Sequence, residues 1–154
     1  MAAFNAVPSA ANHWVEGTVV VQVSDGRLTL SSGPQATNNK LSFVEINPLP
    51  TVNVELLAGP AGGSTVAQIA LEFSEPVFGL ELTDLALRRG GGANLLPAGA
   101  TLTSADHKRW LVGNLGELTA AAGDYLFTLL GQTSGVADAA GAGLAADLQV
   151  GFGV

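Results

Sequence analysis

The chain has 154 residues, of which only 12% are charged, and its 13 acidic and 6 basic side chains give a formal net charge of −7. An acidic chain with so few basic residues is a poor match for nucleic acid or for an anionic membrane surface, because both favour a basic footprint. The absence of cysteine excludes disulfides and thiolate metal sites.

The low charge content predicts an apolar surface that another copy or a neighbouring domain covers. Charged residues are about half as frequent as the roughly 25% usual for soluble domains, and the mean hydropathy is +0.37. Large exposed apolar patches are uncommon on monomers. The alternative is a plain compositional bias toward alanine and glycine. No apolar run approaches the ~20 residues of a membrane-spanning helix, so we expect no membrane insertion.

The first part of the chain predicts an arm and then a small β segment. Residues 1–13 have no periodicity and no signal-peptide pattern, and we interpret them as an extended arm. In residues 14–46, apolar residues alternate on both sides of Asp25-Gly26, a dipeptide that strongly indicates a hairpin turn. A third strand is predicted at residues 41–46.

Three strands are only marginally stable by themselves, and they leave an edge that needs a partner. We therefore expect residues 14–46 to pack on the following domain or to be completed by another chain. The positions predicted to take part in this assembly are Val19, Val21, Val23, Leu41 and Phe43.

Two stretches of this segment, residues 21–30 and residues 39–46, resemble the closing strands of malectin-like and related jelly-roll carbohydrate-binding modules. The resemblance implies the second half of such a module, with glycan as a possible ligand. The opening strands of that module have no counterpart here. On this interpretation Trp14, beside His13 and Glu16, is the possible glycan platform.

The rest of the chain predicts a second unit made of strands. Residues 47–50 (Asn-Pro-Leu-Pro) indicate a linker, since proline restricts both itself and the residue before it. Residues 66–74 alternate between apolar and polar or small side chains, and Pro76 ends that strand. Short strands separated by turn signals, without a helical period, predict an all-β sandwich. The other predicted strands are residues 51–56, 79–87, 100–103, 109–112, 123–130 and 148–154. The strand at 79–87 is broken at Thr83-Asp84, and the strand at 123–130 has Tyr125, Phe127 and Leu129 on one face.

Residues 51–154 resemble bacterial immunoglobulin-like repeats of large secreted and cell-surface proteins. The matching pieces include Phe73-Ser74-Glu75-Pro76-Val77, Asp138-Ala139-Ala140-Gly141 and the residues around Tyr125, which fits a tyrosine corner. The resemblance implies an immunoglobulin-like antiparallel β-sandwich in an extracellular or cell-surface protein, with a spacer, adhesive or assembly role and no catalysis.

No set of residues predicts catalysis. Glu72 and Glu75 lie close in sequence, but acid–base catalysis needs two carboxyl groups that face one cleft. Ser104, Asp106 and His107 have the residue types of a triad, yet neighbours in one turn do not converge as triad members do. We expect no enzyme activity, no cofactor and no catalytic or metal-binding residues.

Calcium is the one ion considered, because several aspartates fall near predicted loops and calcium takes six to eight oxygen ligands. No Asp-x-Asp-x-Asp-Gly run is present, and turn-forming aspartates are the alternative. The sequence predicts a structural or adhesive module that self-associates by edge-strand addition. A carbohydrate-binding accessory module of a larger secreted protein is the alternative.

Overall fold

The structure is a computed structural model that describes residues 7–11, 13, 15–34, 37, 40–59 and 65–154. The chain divides into two compact units, Met1–Val44 and Glu45–Val154. No helix in these described ranges is long and apolar enough to cross a membrane.

The first unit forms no strand in the part of it that the structure describes. The three strands predicted within residues 14–46 are therefore not present as a sheet there. Every described residue from Glu16 to Val44 is exposed, including the alternating valines. A strand needs a neighbour for its backbone N–H and C=O groups, and no strand among the described residues is paired with this segment.

The second unit contains seven strands and two short 3₁₀ turns, Leu82–Asp84 and Leu96–Ala98, in its described residues. The strands are β1 (Val52–Ala58), β2 (Val66–Phe73), β3 (Leu85–Arg89), β4 (Thr101–Ser104), β5 (Arg109–Gly113), β6 (Asp124–Leu129) and β7 (Leu148–Gly153).

These strands form two antiparallel sheets, one ordered β1-β2-β5-β4 and the other β3-β6-β7. With the strands lettered A to G in chain order, this is the A-B-E-D and C-F-G arrangement of immunoglobulin constant-type domains. The predicted all-β antiparallel sandwich is confirmed.

The core lies between the two sheets and follows the period-2 pattern of the sequence. Ile69, Leu71 and Phe73 of β2 are buried and pack in one cluster with Phe127 and Leu129 of β6. Burying each such side chain stabilises the fold by about 1.5–3 kcal/mol. The central strand and the inward face of residues 123–130 are therefore as predicted.

The predicted tyrosine corner is also present. The Tyr125 hydroxyl donates to the Ala121 carbonyl at 2.7 Å, four residues upstream, and the Tyr125 ring stacks on Phe152 at 5.4 Å between centroids. This bond ties the loop that enters β6 to the start of that strand.

Two predicted segments differ from the structure by more than one or two residues at their ends. Residues 79–87, predicted as a strand broken at Thr83-Asp84, form a strand only from Leu85 onward. The predicted break is present as a 3₁₀ turn, in which the Asp84 carboxylate accepts from the Glu81 N–H at 2.9 Å. The predicted linker at residues 47–50 belongs to the second unit, since Pro50 is buried and Asn47 donates to Asp138 at 3.3 Å.

Candidate assembly surfaces

The first candidate surface is the exposed apolar stretch of unit 1. Val19, Val21 and Val23 are each 43–45% exposed although valine favours burial. Leu41 and Phe43, the other predicted assembly positions, are 71% and 64% exposed. We call residues 18–23 the valine segment; it contains no charge and no proline.

The second candidate surface is the set of sheet edges, formed by β1 and β4 in one sheet and by β3 and β7 in the other. An edge strand presents backbone N–H and C=O groups that another strand can pair with. β4 has only four residues. The register of β1 is irregular between Leu57 and Ala58. β7 is paired with β6 over six residues without a shift.

The edge of β3 is covered by the chain that follows it. Asn94 accepts from the Leu87 N–H at 3.0 Å and donates to the Leu85 carbonyl at 3.2 Å. The Leu95 N–H donates to the Leu87 carbonyl at 2.8 Å. These bonds satisfy the groups that a fourth strand would use, so β3 is closed to pairing at its centre.

Glu72, one of the two carboxylates considered for catalysis, is engaged on the outer face of the first sheet. Arg109 donates to Glu72 at 3.1 Å and to Glu55 at 3.2 Å, and all three side chains are substantially exposed. The hydrogen bonds that Arg109 donates to Glu55 and Glu72 raise the pKa of Arg109. Glu72 is thus part of a surface ion-pair network.

Ser104, Asp106 and His107 build the turn between β4 and β5. The Ser104 hydroxyl donates to the Arg109 carbonyl at 2.7 Å and accepts from the His107 N–H at 2.9 Å. Asp106 accepts from the N–H groups of Arg109 and Lys108, and these bonds lower its pKa. The three side chains are turn-forming residues in this arrangement.

The His107 ring lies between two aromatic rings, a contact that sequence reasoning missed. Its centroid is 4.8 Å from that of Phe78 and 5.8 Å from that of Trp110. Trp110 is half-buried and donates its indole N–H to the His107 carbonyl at 3.0 Å. Strands β3 and β4 separate Phe78 from His107 along the chain, so no local pattern brings the two rings together.

Asp138 is a buried carboxylate of the second unit, at 6% exposure. It accepts from the N–H groups of Ala140 and Ala142, both at 2.8 Å, and from the side chain of Asn47. Asp147 similarly accepts from the Gly131 N–H at 2.8 Å. Aspartates here satisfy backbone donors, as turn residues do.

Within the described ranges, no group of three His, Cys, Asp or Glu side chains is placed to hold a metal ion. Trp14, the predicted glycan platform, lies outside the described residues, so the glycan hypothesis stays a prediction.

No protein-family model matches this chain, and a search of curated proteins gives no match.

Proposed function

We propose that this chain is a non-catalytic structural or adhesive module that self-associates by edge-strand addition, with residues 15–46 supplying the added strand. The observation that carries the proposal is the exposed valine segment, which has the alternation of a strand but no sheet partner in the described residues. A segment of this kind gains both burial and backbone hydrogen bonds when it joins a sheet.

Pairing would contribute both apolar burial and backbone hydrogen bonds. Covering three valines that are still nearly half exposed recovers a fraction of the roughly 1.5–3 kcal/mol that full burial of each would give. Each added backbone hydrogen bond contributes about 0.5–1.5 kcal/mol. These gains oppose an association cost of about 4–15 kcal/mol, so a contact of one strand is expected to be reversible and concentration-dependent.

We place the module in an extracellular or cell-surface protein, with other copies or neighbouring domains as its partners. The support is the likeness of residues 51–154 to immunoglobulin-like surface repeats, together with their sandwich topology. Strand addition between identical molecules is a head-to-tail contact, which gives open filaments when the rotation does not close a ring.

The test is the particle mass as a function of concentration, measured by light scattering and by negative-stain microscopy. The chain should form oligomers that grow with concentration, and Val21→Lys should weaken them because it places a charge in the valine segment. Val7→Lys is the matched control, since Val7 is 86% exposed and lies outside that segment. A chain that stays monomeric at high concentration would sink the proposal.

A further inference from the structure

We propose that the open edge of β7 is the acceptor and that the valine segment of a second copy is the strand it takes up. This inference rests on the proposed self-association and adds the identity of the paired edge.

The ladder geometry identifies which backbone groups of β7 point away from β6. Gly123 and Val154 exchange both backbone hydrogen bonds, at 2.9 and 3.1 Å. Bonded and non-bonded pairs alternate along an antiparallel ladder, so the bonded pairs continue at every second residue of β7. The N–H and C=O groups of Gln149, Gly151 and Gly153 therefore point away from β6, toward the open edge.

Within the described residues, β7 lacks three of the devices by which sheets discourage pairing. Natural edges are blunted by charged side chains, proline, bulges or a covering loop. β7 has no charged residue, no proline and no shift in its register with β6. Of the three residues whose backbone groups point to the open edge, Gly151 and Gly153 are glycine. An incoming strand therefore meets no side chain at these two positions.

The other edges are less suitable as acceptors. Asn94 covers the centre of β3, β4 is short, and β1 combines an irregular register with the charged Glu55. The comparison leaves β7 as the edge with the longest regular and uncharged ladder among the described strands.

The valine segment fits this edge in length and pattern. It has six residues, the length of β7, and both would extend about 20 Å as strands. Val19, Val21 and Val23 would lie on the face of Leu148, Val150 and Phe152, which are only half-buried.

On the opposite face of the sheet, β7 has no side chain at Gly151, which leaves room beside an added strand. Gly151 is paired with Leu126, whose side chain is 38% exposed. A residue beside Gly151, such as Val20 or Gln22, could reach this leucine because no side chain separates them. Both faces of the valine segment therefore find apolar surface to cover.

The experiment uses the absence of cysteine from the chain. A full-length Gln22→Cys protein is mixed with a full-length Gly151→Cys protein under mild oxidation, and disulfide-linked heterodimer is measured by mass. Val20→Cys covers a register shift of two residues, and Gly153→Cys is the second acceptor variant. A Cβ at Gly151 meets only the Tyr125 carbonyl, at 3.8 Å, so the substitution leaves room for the native fold.

Thr103→Cys provides the matched control, because Thr103 is an exposed residue of the other sheet's edge strand β4. A disulfide needs Cα atoms less than about 7 Å apart, and residues opposite each other in an antiparallel pair have Cα atoms about 4.5–5.5 Å apart. We therefore expect heterodimer yields with Gly151→Cys at least about tenfold above this control.

Equal yields with both acceptors, or crosslinking only with Thr103→Cys, would overturn the assignment of β7. If the unmodified chain oligomerises while the β7 variants give no crosslink, the acceptor is wrong and self-association stands. If the unmodified chain is monomeric, both proposals fail.

Discussion

Thr119 offers the sharpest test of how the sandwich is held together. Its hydroxyl accepts from the Val66 N–H at 3.1 Å and donates to the Val66 carbonyl at 2.8 Å, and Thr119 is fully buried. Val66 begins β2, and its backbone groups face away from β1, because the Thr65 carbonyl just before it accepts from the Gly59 N–H on the β1 side. The hydroxyl therefore supplies the two hydrogen bonds that a neighbouring strand would otherwise give to Val66.

Thr119→Val removes both hydrogen bonds while keeping the shape of the side chain. It leaves two buried backbone groups of Val66 unpaired, each costing about 1–3 kcal/mol, so we expect a loss of about 2–6 kcal/mol in the free energy of unfolding. Thr119→Ser keeps the hydroxyl and deletes one methyl group, which costs about 1 kcal/mol.

The measurement is urea unfolding followed by far-ultraviolet circular dichroism, with the free energy of unfolding taken from midpoint and slope. The serine variant should be the more stable of the two, with both slopes close to that of the unmodified chain. If Thr119→Val is as stable as Thr119→Ser or more stable, the hydroxyl does not hold β2 and the reasoning is wrong.

Two further predictions concern carboxylates. Asp138→Ala should destabilise the second unit by about 2–4 kcal/mol, because two backbone N–H groups lose a charged acceptor. Asn47→Ala should cost about 1 kcal/mol or less. A double-mutant cycle in urea checks this, and strict additivity would show that the two side chains do not interact. Asp106→Asn should lower the melting temperature at about pH 7 and have less effect at about pH 3, because a lowered pKa contributes stability that is present above the ordinary pKa and lost as pH falls through the lowered one. An equal effect at both pH values would contradict the role of the Asp106 charge.

Local periodicity predicted the sandwich because its strands carry their burial pattern in sequence. Residues 66–73 and 124–129 alternate as the structure has them, and Tyr125 is placed by its position near the start of β6. Such features depend on neighbours within a few residues, so a sequence alone contains them.

The strands predicted in residues 14–46 depend on something that periodicity does not specify. Alternation sets which face of a strand is buried, but a strand exists only where another backbone pairs with it. The contact of Asn47 with Asp138 spans 91 positions, and the cover that Asn94 gives to β3 replaces a strand with one side chain. Both lie beyond what local patterns predict.

The cover over β3 also has a consequence for the shape of any assembly. A three-stranded sheet that is closed at β3 and open at β7 can be extended in one direction only. If β7 receives the valine segment, each molecule donates one strand and accepts one strand. The filament then grows without branches, and all its molecules point in the same direction. One end of such a filament would expose an unpaired β7, and the other an unpaired valine segment. A free peptide with the sequence of residues 18–23 would therefore stop elongation at the β7 end and leave the other end active.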